Sequence, residues 1–269
     1  MIPSGIVTLL TDFGGRDGYV GAMKGVILSR FAQARIVDVA HGVAPQDVVA
    51  GAYALASAAP YFPPGTVHVA VVDPGVGTRR LAMVAVLDGQ IFVGPDNGLV
   101  ELWRKRASEF SAWQIATSGG AWSVDPQAPP VTLSPTFHGR DLFAPVAAEL
   151  AAGRRSPSSW GPPLLHPAPL ALPASLHTGG EAAGAVMCFD TFGNAITTVA
   201  ASAVHPNARC VEVRGRRADL VRTYGDAPPG AVVALIGSAG LLEVAVVNGS
   251  AERLLGLAVG DEVQVEPPG

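Results

Sequence analysis

Residues 67–72, Val-His-Val-Ala-Val-Val, constrain this chain more than any other stretch. A run that is apolar at successive positions presents apolar side chains on both faces of a strand, and such strands belong to mostly parallel sheets with helices above and below. The run stops abruptly at Asp73-Pro74-Gly75-Val76-Gly77-Thr78-Arg79-Arg80. In a parallel sheet the carboxyl end of a buried strand is where the chain leaves the core and where ligands collect. A carboxylate there, followed by a Gly/Pro turn that returns a guanidinium towards it, reads as a built polar site. It reads equally as a turn-capping aspartate beside solvated arginines.

The flanking pattern supports the sheet. Residues 6–11 form a short apolar β run that ends at Asp12-Phe13-Gly14-Gly15, and residues 19–31 carry Val20, Met23, Ile27 and Phe31 at helical spacing. Residues 36–40 read as the next strand. Residues 45–58 read as the next helix, with Pro45 in its first turn and Pro60 and Pro63 beyond its end. Strands follow at 67–72, 81–87 and 91–94, the last two around Asp88-Gly89, then a short helix at 99–106 and a longer one at 142–152. This β-α-β-α-β order predicts a mostly parallel, Rossmann-like α/β domain over residues 1–155.

Residues 156–180 change character. Pro157, Pro162, Pro163, Pro167, Pro169 and Pro173 are incompatible with regular helix or strand over most of the stretch, which reads as an extended linker. Residues 181–269 are dominated by short β runs at 184–189, 210–213, 231–236, 241–247 and 262–265, separated by Gly, Pro, Asp and Asn turns. They predict a small antiparallel barrel or sandwich, with the barrel the expected form.

Composition excludes several functional classes. A net charge of −4 gives no basic footprint for nucleic acid. Cys188 and Cys210, the two cysteines, make neither a disulfide framework nor a zinc spacing, and read as buried small apolar groups. With no leader-like start and no membrane-length apolar run, a cytoplasmic protein without membrane or nucleic-acid partners is expected.

Three more polar clusters sit where β runs end. Asp12, with Asp17 nearby, could accept two hydrogen bonds from a vicinal diol or could simply cap a turn. His138 and Asp141 lie in Phe137-His138-Gly139-Arg140-Asp141, just before a helix. Asp190 and Asn194 flank Thr191-Phe192-Gly193 and could hold a polar heterocycle or sugar against a ring, or form a plain turn. The chain has no G-x-G-x-x-G, P-loop or G-x-S-x-G motif. Asp38, His41 and Asp47 fit no standard metal spacing, and a strand-end turn explains them better. His68 reads as a satisfied core or edge histidine, and Arg214, Arg216 and Arg217 as a solvated face.

Taken together, seven stretches resemble one family in co-linear order. They are TLLTDFGGRDGYVGAMKG (8–25), HGVAPQDVVAGAY (41–53), VVDPGVGTRR (71–80), GPDNGL (94–99), FHGRDLFAPVAA (137–148), DTFGNAIT (190–197) and NGSA (248–251). The chain is similar to the S-adenosyl-L-methionine hydroxide adenosyltransferases, relatives of the fluorinases and chlorinases. The resemblance implies cleavage of S-adenosyl-L-methionine to adenosine and L-methionine by attack of water or hydroxide on the ribose C5′. It implies a homotrimer with a ligand site between subunits, and no cofactor or metal. By motif position, the water-holding set falls on Asp73, Arg80 and His138, and the ribose acid on Asp12. Adenine and methionine contacts fall on Asp190, Asn194, Ser238, Glu243 and the backbone around Val246, with Phe192 packing on the ligand.

The chemistry is self-consistent. A sulfonium is already a good leaving group, whereas water is a poor nucleophile that must be held in line with the C5′–S bond. Arg80 is no base at neutral pH, so either Asp73 or His138 takes the proton, with Arg80 orienting Asp73. Arg79 is expected to be solvated. Two other readings stand beside hydrolysis: a halogenase of the same superfamily, and a non-catalytic adenosine or S-adenosyl-L-methionine binding module.

Overall fold

The computed structural model describes residues 2–117, 121–124, 127, 131–173 and 182–266. It divides into two compact units, Met1–Leu170 and Ala171–Gly269. None of the described helices is long and apolar enough to cross a membrane.

The first unit is built on a six-stranded sheet in the order β2-β1-β3-β5-β4-β6. Its strands are β1 (Ile6–Thr11), β2 (Arg35–Ala40), β3 (Val67–Val71), β4 (Ala82–Leu87), β5 (Gln90–Pro95) and β6 (Phe110–Gln114). β2, β1, β3 and β5 run parallel, and β4 pairs antiparallel with β5 and β6. The β4–β5 reversal needs left-handed backbone at both Asp88 (φ 45°) and Gly89 (φ 80°), and Asp and Gly are residues that tolerate it.

β3 is buried at every position. Val67, Val69 and Val71 enter the same apolar cluster as Met23 and Ile27 of α1 (Tyr19–Arg30) and Val146, Ala147 and Leu150 of a later helix, Ala144–Ala151. α2 (Val48–Ala58) approaches Val72 closely at Gly51, and α3 is the short helix Glu101–Arg104. The later helix is α4.

α2 starts three residues after the expected Pro45. Gln46 adopts left-handed backbone (φ 68°), and the Asp47 side chain accepts the Ala50 N–H as the helix cap, so the first turn cannot extend back to the proline. Before α4 the chain makes a π-helical turn, Gly139–Phe143. A small ladder, β7 (Ala121–Trp122) with β8 (Val131–Thr132), lies outside the main sheet.

His68 is fully buried in β3 and satisfied at both ring nitrogens. Gln90 donates its amide to Phe62 O (2.6 Å), so its carbonyl accepts from His68 Nε2 (2.8 Å), and Nδ1 accepts from the Thr8 hydroxyl (2.8 Å). Burial drives its pKa down to about 4.

Part of the proline-rich stretch belongs to this unit. Pro157–Trp160 forms a 3-10 turn, Trp160 is buried in the core, and Pro163 bridges to Trp113 of β6. Residues 174–180 of the expected linker lie outside the described residues.

The second unit is a closed barrel in the order β10-β14-β13-β12-β11-β15-β9. Its strands are β9 (Ala183–Phe189), β10 (Ala195–Ala200), β11 (Cys210–Val213), β12 (Arg216–Leu220), β13 (Val232–Ile236), β14 (Leu241–Val246) and β15 (Glu262–Val265). All pairings are antiparallel except β12 with β13. Both cysteines are buried in it. The Asn-Gly-Ser-Ala motif is largely architectural here: Asn248 is left-handed (φ 57°), and Ser250 caps the short helix α5 (Ala251–Leu255).

Candidate active site

The β3 strand ends at Val71, and its continuation is pinned from the side by Asn97, whose amide donates to Val72 O (2.9 Å). Asp73 follows at once. Successive tight turns, Val76 N–H to Asp73 O and Thr78 N–H to Gly75 O, fold residues 73–80 back on themselves. Arg80 thereby returns to its own turn. Its Nε donates to Asp73 Oδ1 at 2.9 Å and its Nη2 to Asp73 Oδ2 at 2.5 Å, a forked pairing. The pair is withdrawn from water, with side-chain exposure of 4% for Asp73 and 11% for Arg80. Arg79 is exposed.

His138 reaches this pair from a different loop. Gly77 makes the approach possible: its backbone is left-handed (φ 74°), and a Cβ there would lie 2.2 Å from Pro135 O. Asp141 holds the incoming loop by accepting the Ser134 N–H (2.9 Å). Arg80 Nη2 then donates to His138 Nδ1 at 2.9 Å. The π-helical turn that follows carries Phe143 beneath the guanidinium, 5.4 Å from its ring centroid.

Burial first, and then the adjacent Arg80 charge, hold the His138 pKa below the ordinary imidazole range, with Asp73 and Asp141 pulling it partly back. The ring is therefore neutral at neutral pH. With Nδ1 accepting from Arg80, its proton resides on Nε2.

Asp12, Asp73 and His138 line one cleft of about 390 Å³, a size suited to a small-molecule ligand. Asp12 accepts the Gln46 N–H on Oδ2 (2.8 Å). The cleft also has an aromatic wall absent from the expected site. Phe13, Tyr19 and Phe137 meet pairwise at 5.2 to 5.8 Å between centroids.

A second polar cluster lies in the barrel unit. Asp190 is spent on its own turn, with Oδ1 accepting the Phe192 and Asn194 N–H groups and Oδ2 the Asn194 amide. Glu243 accepts the Tyr224 hydroxyl at 2.8 Å, and a Cβ at Gly237 would lie 1.6 Å from its other oxygen. Burial raises the Glu243 pKa, the Asp190 charge adds to the rise, and Tyr224 only partly offsets it. Tyr224, which also accepts from the Asn194 amide (3.4 Å), is not legible in the sequence because it lies in a turn with no motif around it. Ser238 is exposed in the β13–β14 turn, and Phe192 is 76% exposed. The Val246 side chain belongs to the barrel core, so only its backbone is available to a ligand.

The family models for the SAM hydroxide adenosyltransferase N-terminal and C-terminal domains match residues 7–161 and 184–264. This chain belongs to the SAM hydroxide adenosyltransferase family. One adenosyltransferase-family relative, from Thermus thermophilus, is named (R)-S-adenosyl-L-methionine hydrolase. It is 46% identical over 96% of this chain and 98% of its own. A Nocardia brasiliensis fluorinase is 28% identical over 55% of this chain and 54% of its own. Among solved structures, an uncharacterized conserved protein from Thermotoga maritima superposes with a TM-score of 0.82 at 33% identity, covering 97% of this chain and 100% of that one.

Proposed function

We propose that this member of the SAM hydroxide adenosyltransferase family hydrolyses (R)-S-adenosyl-L-methionine to adenosine and L-methionine. The observation that carries the reading is the Asp73–Arg80–His138 constellation, formed from two separate loops where a cleft of nucleoside size also contains the Asp12 carboxylate. Similarity over nearly the full length to a relative named (R)-S-adenosyl-L-methionine hydrolase supports it. Two cleft carboxylates and three aromatic faces also suit a cationic sulfonium.

In this account Asp73 accepts a hydrogen from the attacking water. Neutral His138 orients that water through Nε2–H, its Nδ1 being engaged by Arg80. The water oxygen forms the C5′–O bond as the C5′–S bond breaks, and the bonding pair leaves on sulfur as a neutral thioether. The proton passes to Asp73 and then to solvent. Asp12 accepts from the ribose diol. Holding water in line supplies most of the acceleration, since the leaving group already carries its charge. For the same reason the reaction is proposed to need neither metal nor cofactor. Asp190, Asn194, Ser238, Glu243, Phe192 and the Val246 backbone are proposed as adenine and methionine contacts. A cytoplasmic homotrimer completes the proposal, to be checked by sedimentation.

Incubating the protein with each sulfonium epimer, with and without halide, and separating the products tests the reading. Adenosine plus methionine from the (R) epimer is expected. A 5′-halo-adenosine formed only with halide indicates the halogenase, and unchanged substrate indicates a binding module.

A further inference from the structure

One chain of polar contacts near the cleft has no part in the chemistry above. Lys24 Nζ donates to Asp38 Oδ2 at 2.6 Å, and His41 Nε2 lies 3.0 Å from Asp38 Oδ1, outside hydrogen-bond geometry. On its other side the His41 ring meets Thr11 Oγ1 at 2.9 Å, and that oxygen accepts the Phe13 N–H at 3.2 Å. The carboxylate beside Nε2 favours the ring proton there. Nδ1 then accepts from the Thr11 hydroxyl, so donation runs from the Phe13 N–H through Thr11 to the His41 ring. Thr11 is fully buried, which removes it from consideration as a nucleophile.

The next residue after Thr11 is Asp12. Three contacts stitch the segment 11–14 to the segment 41–46: the Thr11–His41 ring contact, the Gly14 N–H to His41 O (2.7 Å), and the Gln46 N–H to Asp12 Oδ2 (2.8 Å). His41 supplies two of the three, one through its ring and one through its carbonyl. The third depends on Gln46 keeping left-handed backbone (φ 68°), which directs its N–H at the carboxylate. Asp12 Oδ1 makes no hydrogen bond among the described residues. Its aim is therefore set by how the two segments are held together, and small displacements of a ligand-binding group weaken its contact sharply.

We propose that His41 is a positioning residue: through Thr11 and Gly14 it holds the Asp12 segment against the Gln46 turn, so that the free Asp12 oxygen meets the diol of a bound nucleoside. This rests on the reading of Asp12 as the ribose acid. It assigns a role to a histidine whose sequence context suggested only a strand-end turn.

The test measures adenosine and 2′,3′-dideoxyadenosine binding calorimetrically to wild type, His41→Ala and Thr11→Val. The valine is nearly isosteric with the buried threonine and keeps its packing while removing the hydroxyl. Both variants should lose about tenfold or more in adenosine affinity, the scale of one hydrogen bond to a charged group. Affinity for 2′,3′-dideoxyadenosine should change by less than about twofold, because that ligand offers Asp12 nothing to hold. In an Asp12→Ala background, adding Thr11→Val should cause no further loss of adenosine affinity. Equal losses for both ligands, or a folded Thr11→Val protein with wild-type adenosine affinity, would overturn the proposal while leaving the nucleoside site intact. A wild-type protein that binds neither compound refutes the nucleoside reading itself, and this proposal with it.

Discussion

Replacing Arg80 with alanine tests the Asp73–Arg80–His138 cluster energetically. The substitution removes the Arg80 donors on both Asp73 oxygens and the donor on His138 Nδ1. Because the Asp73 side chain is only 4% exposed, the few waters that reach it from the cleft replace the lost guanidinium incompletely. Orphaning one member of a buried ion pair costs about 3–5 kcal/mol, whereas losing an exposed pair costs about 0–1 kcal/mol. The contact with Phe143 adds roughly 0.5–1 kcal/mol. Urea unfolding at neutral pH should therefore show Arg80→Ala destabilised by about 4 kcal/mol. The Asp73→Asn/Arg80→Ala double variant, which has no stranded charge, should be less destabilised than the sum of its parts by at least about 2 kcal/mol. Turnover should fall about a hundredfold or more in Asp73→Ala, Arg80→Ala and His138→Ala alike, because the groups act as a unit. A stability loss below about 1 kcal/mol, with strictly additive effects, would mean the pair behaves as a solvated surface bridge and the reasoning from burial is wrong.

Acidification should expose the cost of burying His68. Its folded-state pKa of about 4 lies below the usual 6.5, so the unfolded chain binds the proton first and stability falls as pH drops through that window. The shift corresponds to about 3 kcal/mol, present in full above the unfolded value and lost by the folded one. A His68→Gln variant should lack this increment in pH-dependent unfolding, and equal acid losses in both proteins would contradict it. Gly77→Ala should separate the Asp73 turn from the His138 loop, since its Cβ would lie 2.2 Å from Pro135 O. Turnover should drop at least tenfold with only about 1–2 kcal/mol of global destabilisation, the scale of a strained left-handed residue; wild-type turnover would show that the loops need not meet.

Much of the architecture is legible because local and global signals agree. The buried run at 67–72, the helical spacing after Tyr19 and the proline after residue 58 each point to the element that forms there. The start of α2 escapes the pattern because it is decided by Gln46 taking a backbone region that glutamine seldom visits. β10 and β12 escape for a different reason. The Ala-Ile-Thr-Thr stretch sits against a polar turn motif, and Arg216-Arg217 resembles a solvated loop, yet barrel closure pairs both segments. At the Asp73 turn, the register that selects Arg80 over Arg79 can be read from the motif. The aromatic wall of Phe13, Tyr19 and Phe137 cannot, because it joins residues more than a hundred positions apart that share no periodicity. The Tyr224–Glu243 contact is hidden because it joins a turn to a strand that share no motif.

Water held by Asp73, Arg80 and His138 is proposed to attack the ribose carbon and not the sulfonium methyl or the methionine side. Turnover of (R)-S-adenosyl-L-methionine in ¹⁸O-enriched water, followed by mass spectrometry of the adenosine, tests this most directly. One heavy oxygen is expected at the 5′ position and none in the methionine; adenosine whose 5′ oxygen carries no label, or label found in the methionine, would rule out attack by water at C5′.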